Sequence, residues 1–527
     1  MTVSRSNVPA TFGGVVLQQA RFGAKIAFAD TQRSVTFAQF SERVDRLADS
    51  FFRLGLKPGA RIGILSRNCV SAVECVAVMK AGFVPVPLNW RLTPPELASL
   101  LRDCKPDALV CDEQGAKIAD EEILPHVAIP HRIAFGSSRA GWLDFEAFLG
   151  AGVADAIHPA AAEDATALLI YTSGTTAAPK AAMISHKGLV ANALASASEA
   201  IGVSEDDTVL FVMPLFHVGG LCYYLLASYM AGASCVLRPM FEVSDLVTSI
   251  ERLGVTNVHL VPTMISDLVG HPGAAQAASK LRRIVYAGSA MPVALLERAM
   301  AAFGNCSFSQ SYGSTEGGII TALGPAEHRM AATQPDKAHL LRSCGQLLSG
   351  TDLRIVDPDG GDCRNGSPGE VLVRSARTMS GYWASPEKTR DTFVGEHLRT
   401  GDIGYRDADG YLYLVDRKND MIVTGGENVF PSEVEQVLYR SPDVAEAAVF
   451  GVPDPRWIEK VAAAVVLREG SRATPESLLA FCKAHLAPYK CPKSVLVMEQ
   501  LPKTGVGKIS RKLLQQAVVH AANDAKT

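Results

Sequence analysis

The chain has 527 residues, more than one hydrophobic core usually organises, so two or more domains are expected. With 48% hydrophobic and 20% charged residues it has the composition of a soluble globular enzyme, and a net charge of −3 leaves no electrostatic case for nucleic acid or an anionic membrane surface. Eleven scattered cysteines without a C-x-x-C pair fit reduced core thiols in a cytosol better than a disulfide framework or a zinc site. Met1 to Gly14 holds one arginine and no apolar segment, so no signal peptide is visible and a cytoplasmic location is expected.

Thr36-Phe37-Ala38-Gln39 has the form of a capping box, and Phe40, Val44, Leu47, Phe51 and Leu54 follow at helical spacing up to Gly55. After Lys57-Pro58-Gly59 come a strand at Ile62 to Leu65, a helix through Val73, Val76, Ala77 and Lys80 to Gly82, and a strand at Phe83 to Val86. Thr93-Pro94-Pro95-Glu96 opens another helix, and Ala108 to Cys111 is the next strand. The alternation predicts an α/β fold, a mostly parallel sheet covered by helices, with ligands gathering at the carboxyl ends of the strands. The rhythm continues with Ala167 to Ile170, Val209 to Val212, Ser234 to Leu237, Val258-His259-Leu260-Val261 and Ile284 to Ala287. Val209 to Leu237 carries no charge and is long enough to span a membrane, but Pro214, His217, Gly219, Gly220 and Gly232 break it into short interior elements.

From about Gly350, short runs separated by Asp-Pro-Asp-Gly, Asn-Gly-Ser-Pro-Gly and Asp-Ala-Asp-Gly predict a β-rich lobe of antiparallel strands. The expected division is residues 1–415 as a large N-terminal domain, 416–420 as a charged hinge, and 421–527 as a small mobile α+β domain. In the last of these, Pro431 to Tyr439, Val444 to Phe450, Val461 to Leu467, Pro475 to Leu486 and Ser494 to Met498 read as helix, strand, strand, helix, strand. Ala517 to Thr527 is expected to fray.

Tyr171-Thr172-Ser173-Gly174-Thr175-Thr176-Ala177-Ala178-Pro179-Lys180 follows a buried strand with hydroxyls, a glycine and one lysine, a donor set suited to oligophosphate oxygens. It is not a Walker loop, because Pro179 precedes the lysine and no hydroxyl follows it. Alone it would equally be a surface Ser/Thr-Gly turn. Downstream stand Pro214-Leu215-Phe216-His217-Val218-Gly219-Gly220, Gln310-Ser311-Tyr312-Gly313-Ser314-Thr315-Glu316, Thr400-Gly401-Asp402, Asp416-Arg417 and Pro502-Lys503-Thr504-Gly505-Val506-Gly507-Lys508. In content and order these motifs resemble those of the adenylate-forming superfamily: acyl-CoA synthetases, firefly luciferase and the adenylation domains of peptide synthetases. The stand-alone acyl-CoA synthetases are the nearest in kind.

The resemblance implies attack of a carboxylate on the α-phosphate of ATP, then transfer of the acyl group to a thiol. It implies that Thr172, Ser173, Gly174, Thr175, Thr176 and Lys180 hold phosphate, and that Gly288, Ser289, Ala290, Tyr312 and Gly313 surround adenine. Asp402 and Arg417 would meet ribose or phosphate, Thr315 the α-phosphate, and Glu316 a Mg²⁺ ion. Lys508 would serve adenylation, and His217 would stand at the mouth of the acyl pocket, with Met213, Tyr223 and Tyr224 as neighbours. After rotation about Asn419, Gly425 and Gly426 would let the pantetheine of coenzyme A pass. By residue type alone each has an ordinary reading: a solvated Glu or Lys, a core Tyr, a turn Asp, a backbone-held His. Lys503 and Lys512 serve as neighbouring controls.

The implied partners are ATP, coenzyme A and a small fatty or aryl acid, with a possible homodimer. A carrier-protein thiol as acceptor, or a catalytically silent nucleotide or acyl sensor, stand as alternatives. The chain departs from relatives at Ala177 and Ala181, where glycine is usual, and at Asn419, where Asp or Lys is common. A glycine there with positive φ would cost roughly 1 kcal/mol or more to replace. Small residues around Gly317-Gly318 lean towards a roomy pocket.

Overall fold

The computed structural model describes residues 9–136, 138–156, 158–172, 180–417, 420–424, 427–454, 457–505 and 507–524. The strands expected between Val209 and Ala287 lie side by side in one nine-stranded sheet. Its order is Gln346–Leu347, Gly318–Leu323, Ser307–Ser314, Arg283–Ala287, Asn257–Leu260, Thr208–Phe211, Ser234–Leu237, Ile26–Ala29 and Ser34–Thr36. Pairing is parallel from Ile26–Ala29 through Ser307–Ser314 and antiparallel at both edges. A second sheet, all parallel, runs Val84–Pro87, Arg61–Leu65, Ala108–Cys111, His131–Ala134 and Leu143–Asp144. Val84–Pro87 and Ala108–Cys111 are buried at every position, as expected of strands covered on both faces.

The helix Phe37–Arg53 begins with the expected capping box between Thr36 and Gln39, buries Val44, Leu47 and Phe51, and is followed by Gly55 at φ +89°. The uncharged segment after Val209 folds as a strand, helical turns over 218–230 and the strand Ser234–Leu237. No helix among the described residues is long and apolar enough to cross a membrane. All eleven cysteines are free thiols, and only Cys69 and Cys363 are not fully buried.

The strands Thr166–Thr172 and Lys180–Ser185 form an antiparallel hairpin, with Gly381–Tyr382 added at its edge. Thr172 stands opposite Lys180 where the two strands flank the Ser/Thr-rich stretch, whose residues 173–179 lie outside the described residues. The β-rich lobe is a five-stranded antiparallel sheet of Asp352–Val356, Gly369–Arg374, Phe393–Val394, His397–Arg406 and Leu412–Arg417.

Beyond it, Ile422–Thr424, Glu427–Val429, Val444–Asp454, Ile458–Leu467 and Ser494–Val497 make a separate sheet, flanked by the helices Pro431–Arg440 and Pro475–His485. Its apolar clusters, around Val449 and Phe450, draw only on residues after 421. Two features depart from the sequence reading. The hairpin 422–429 was not expected, and the chain after Ala517 does not fray at once: the helix Arg511–Asp524 continues through it. Leu514, 1% exposed, anchors that helix in the cluster with Phe450 and Leu501.

Candidate active site

A cleft of about 2410 Å³ opens at the carboxyl ends of the parallel strands, between the large sheet, the β lobe and the C-terminal segment. Tyr312 lies near the end of Ser307–Ser314, and its hydroxyl donates to Asp402 Oδ2. Arg417 is the cross-strand partner of Asp402, so register alone faces the two, and Arg417 Nε lies 2.7 Å from Asp402 Oδ1. Asp402 is 3% exposed, and burial pushes its carboxyl pKa up while the Arg417 guanidinium works against that rise. Both carboxylate oxygens are engaged, so a diol would have to share them with Tyr312 and Arg417.

On the opposite wall Glu316 Oε1 accepts from the Tyr382 hydroxyl at 2.9 Å and the Thr172 hydroxyl at 3.3 Å. Lys180 Nζ sits 5.0 Å from the centroid of the same Tyr382 ring whose hydroxyl meets Glu316. Among the described residues no three His, Cys, Asp or Glu converge into a metal cage. A single carboxylate lining the cleft does fit Mg²⁺, which takes one or two carboxylates and fills its octahedron with water and substrate phosphates.

Lys508 enters the cleft from the C-terminal segment. A Cβ at Gly288 would lie 3.1 Å from Lys508 Cε and 3.7 Å from its Nζ, so the bare glycine, at φ +91°, lets the lysine tip pass against backbone. The loop closes on itself through Thr504 N–H to Lys508 O at 2.6 Å and Gly507 N–H to Thr504 O at 2.9 Å. It is tied to the floor by the Thr263 hydroxyl, which donates to Gly507 O at 3.0 Å. Burial, helped by the charge of Arg417 and opposed by Asp402, lowers the Lys508 pKa to about 8.

His217 accepts from Gly219 N–H through Nδ1 at 3.2 Å, which leaves Nε2 carrying the proton. Burial, with the Lys508 charge nearby, holds its pKa well below the usual value, so the ring is neutral. Met213, Tyr223, Thr315, Gly313, Ser289 and Ala290 line the same cleft. Ser173, Gly174, Thr175, Thr176, Ala177, Asn419, Gly425 and Gly426 lie outside the described residues.

Several sequence expectations need correction. Gly317 and Gly318 do not mark a roomy pocket: a Cβ on Gly318 would come within 2.6 Å of Arg377 Cβ, and one on Gly317 within 3.0 Å of Ser314 Oγ. These glycines allow close packing. Ala181 is buried in the hairpin opposite Tyr171 and has no positive φ, so alanine costs little there. Tyr224 is core, in keeping with its ordinary reading, its hydroxyl donating to Asn257 Oδ1 at 2.9 Å. Lys503, the neighbouring control, has its Nζ paired with Glu446 at 2.7 Å. The sequence reading missed Tyr382, Thr263 and the role of His259 as a cleft residue; a polar side chain in the apolar strand Asn257–Leu260 was the available signal for the last.

Known proteins resemble this chain over nearly its whole length. The family model described as AMP-binding enzyme matches residues 16–383, and that described as AMP-binding enzyme C-terminal domain matches 433–508. An indoleacetate–CoA ligase of Aromatoleum aromaticum is 34% identical, covering 94% of this chain and 95% of its own. A fatty acid–[acyl-carrier-protein] ligase, ScoC, of Streptomyces coeruleorubidus is also 34% identical, covering 92% of this chain and 91% of its own. The solved anthranilate CoA ligase AuaEII, in complex with anthranoyl-AMP, superposes with a TM-score of 0.89 at 29% identity, over 99% of this chain and 100% of that one.

Proposed function

This chain belongs to the AMP-binding enzyme family, and from that premise we propose that it joins a ring-bearing carboxylic acid to coenzyme A through an acyl adenylate. It is an AMP-forming acid–thiol ligase. The observation that carries the reading is the Lys508 ammonium lodged against Gly288 in a cleft that the Asp402–Arg417 pair and neutral His217 also line. A reaction between a carboxylate and a phosphate needs fixed positive charge where two anions meet and little covalent help.

In the first half-reaction a carboxylate oxygen forms a bond to the α-phosphorus, the α–β bridging P–O bond breaks, and pyrophosphate leaves. Lys508 stabilises charge on both reactants. Thr172 and Lys180, with Ser173, Gly174, Thr175 and Thr176, hold the leaving phosphates, and Thr315 holds the α-phosphate. Tyr312, Gly288, Ser289, Ala290 and Gly313 enclose the base, while Asp402 and Arg417 receive the ribose. Glu316 is the residue that would hold Mg²⁺, which supplies further neutralisation of phosphate charge when bound. His217, its tautomer set by Gly219 N–H, offers Nε2–H to the carboxylate.

In the second half-reaction the thiol sulfur bonds to the acyl carbon, the acyl–oxygen bond to AMP breaks, and the thiol gives up its proton. Lys508 has no part in that step. Its loop withdraws as the segment after Asn419 turns and presents Gly425 and Gly426 to pantetheine. The acid is read as ring-bearing because the indoleacetate and anthranilate ligases act on such acids.

The test is a panel of aliphatic and aryl acids incubated with MgATP, with and without coenzyme A, following AMP and acyl-CoA by mass spectrometry. AMP and thioester rising together for aryl acids are expected. AMP without thioester would instead favour a carrier-protein acceptor, the reading suggested by the likeness to ScoC. Nucleotide binding without any turnover would favour the sensor.

A further inference from the structure

His259 has a place in the cleft that the reaction described above does not use. It is 5% exposed, lines the cleft, and neither Nδ1 nor Nε2 has a hydrogen-bond partner among the described residues. The neighbours that would ordinarily satisfy it are occupied. The Tyr224 ring packs on it with centroids 5.2 Å apart, but its hydroxyl is given to Asn257. His217, across Gly219, takes the Gly219 amide instead. A buried imidazole left without partners is destabilising, so a site that keeps one gains by filling it.

The strand fixes where a partner would sit. His259 and Val261 are two residues apart on one extended segment, so their side chains share a face, and His259 lies about 7 Å further from the strand's carboxyl end. Val261 is at the Lys508 end: its methyls lie 3.4 Å from a Cβ placed at Gly288 and 3.6 Å from one placed at Gly507. An acid whose carboxylate meets Lys508 would therefore bring atoms some 7 Å along its skeleton to the imidazole.

We infer that His259 is a specificity-determining residue that hydrogen-bonds a neutral polar substituent, a hydroxyl or a ring carbonyl, on the side of the acid remote from its carboxylate. The inference rests on the ligase reading. Its chemistry selects neutral groups, because burial and the charge of Lys508 lower the His259 pKa to about 4 and leave one donor and one acceptor. A second carboxylate would find no cation there.

The experiment measures kcat/KM for pyrophosphate release with matched aryl acids that carry hydrogen, hydroxyl or a ring carbonyl about 7 Å from the carboxyl carbon. The intact enzyme is expected to prefer one of the polar acids over its unsubstituted match by about tenfold or more. His259→Leu should bring that ratio close to one, and His259→Gln, which keeps a donor and an acceptor, should hold part of it. A ratio taken on one preparation does not depend on the fraction folded, so a poorly folding variant still reports. A wild-type ratio near one, or a ratio untouched in His259→Leu while acids turn over, overturns the inference and leaves the ligase standing. No pyrophosphate from any acid would overturn the ligase reading, and this inference with it.

Discussion

Asp402 and Lys508 meet in one cleft but are held there by opposite means. Asp402 is fixed three ways inside continuous sheet: cross-strand register with Arg417, the Tyr312 hydroxyl, and its own N–H to Thr400 Oγ1 at 3.1 Å. Lys508 rides on a short glycine-containing loop from a segment with its own core, tied to the floor by the Thr263 hydroxyl. The first arrangement suits a group needed whenever nucleotide is bound, the second a group that must leave.

Removing each side should separate them. Lys508→Ala is expected to lower the rate of pyrophosphate release by about 10³-fold, since it deletes the fixed charge at the reacting atoms, while urea unfolding changes little. Asp402→Asn should raise KM for ATP by roughly ten- to a hundredfold and also lower unfolding stability by about 1–3 kcal/mol, because a buried charged partner of Arg417 is lost. Equal stability losses in both variants would erase the distinction between floor and visitor.

The pH profile sharpens it. In the proposed mechanism only the protonated Lys508 carries the charge that adenylation uses, so kcat/KM for pyrophosphate release should fall on the alkaline side, through about pH 8, tenfold per unit. Asp402 raises that pKa and Arg417 lowers it, so in Asp402→Asn the fall should begin at lower pH. A limb unchanged in that variant would contradict the placement of the two groups. Thr263→Val, the mildest change, should cost about fivefold in adenylation alone, one neutral hydrogen bond, with the thioester step untouched.

Much of the frame was legible because local signals agreed with the fold. The Thr36 capping box, the apolar strand runs up to Ile284 and the Asp-Gly turns of the lobe each decide their element within a few residues. What escaped depends on pairings distant in sequence. Nothing near Arg417 announces that strand register will face it with Asp402, and nothing near Lys503 announces Glu446. Gly318 read as space because the side chain it accommodates, Arg377, comes 59 residues later. The helix through Ala517 was missed because its anchor, Leu514, is buried only by docking near Phe450. His259 could be suspected as a polar side chain in the apolar strand Asn257–Leu260, but its lack of a partner is not legible locally.

The central claim is that Lys508 serves one half-reaction and stands outside the other. It is tested most directly by supplying purified acyl adenylate and coenzyme A to Lys508→Ala and timing thioester formation in a single turnover. The account predicts a rate within a few-fold of the unaltered enzyme, despite the loss of adenylation. A thioester rate reduced as severely as pyrophosphate release would contradict it, and would make Lys508 a fixture of the site like Asp402.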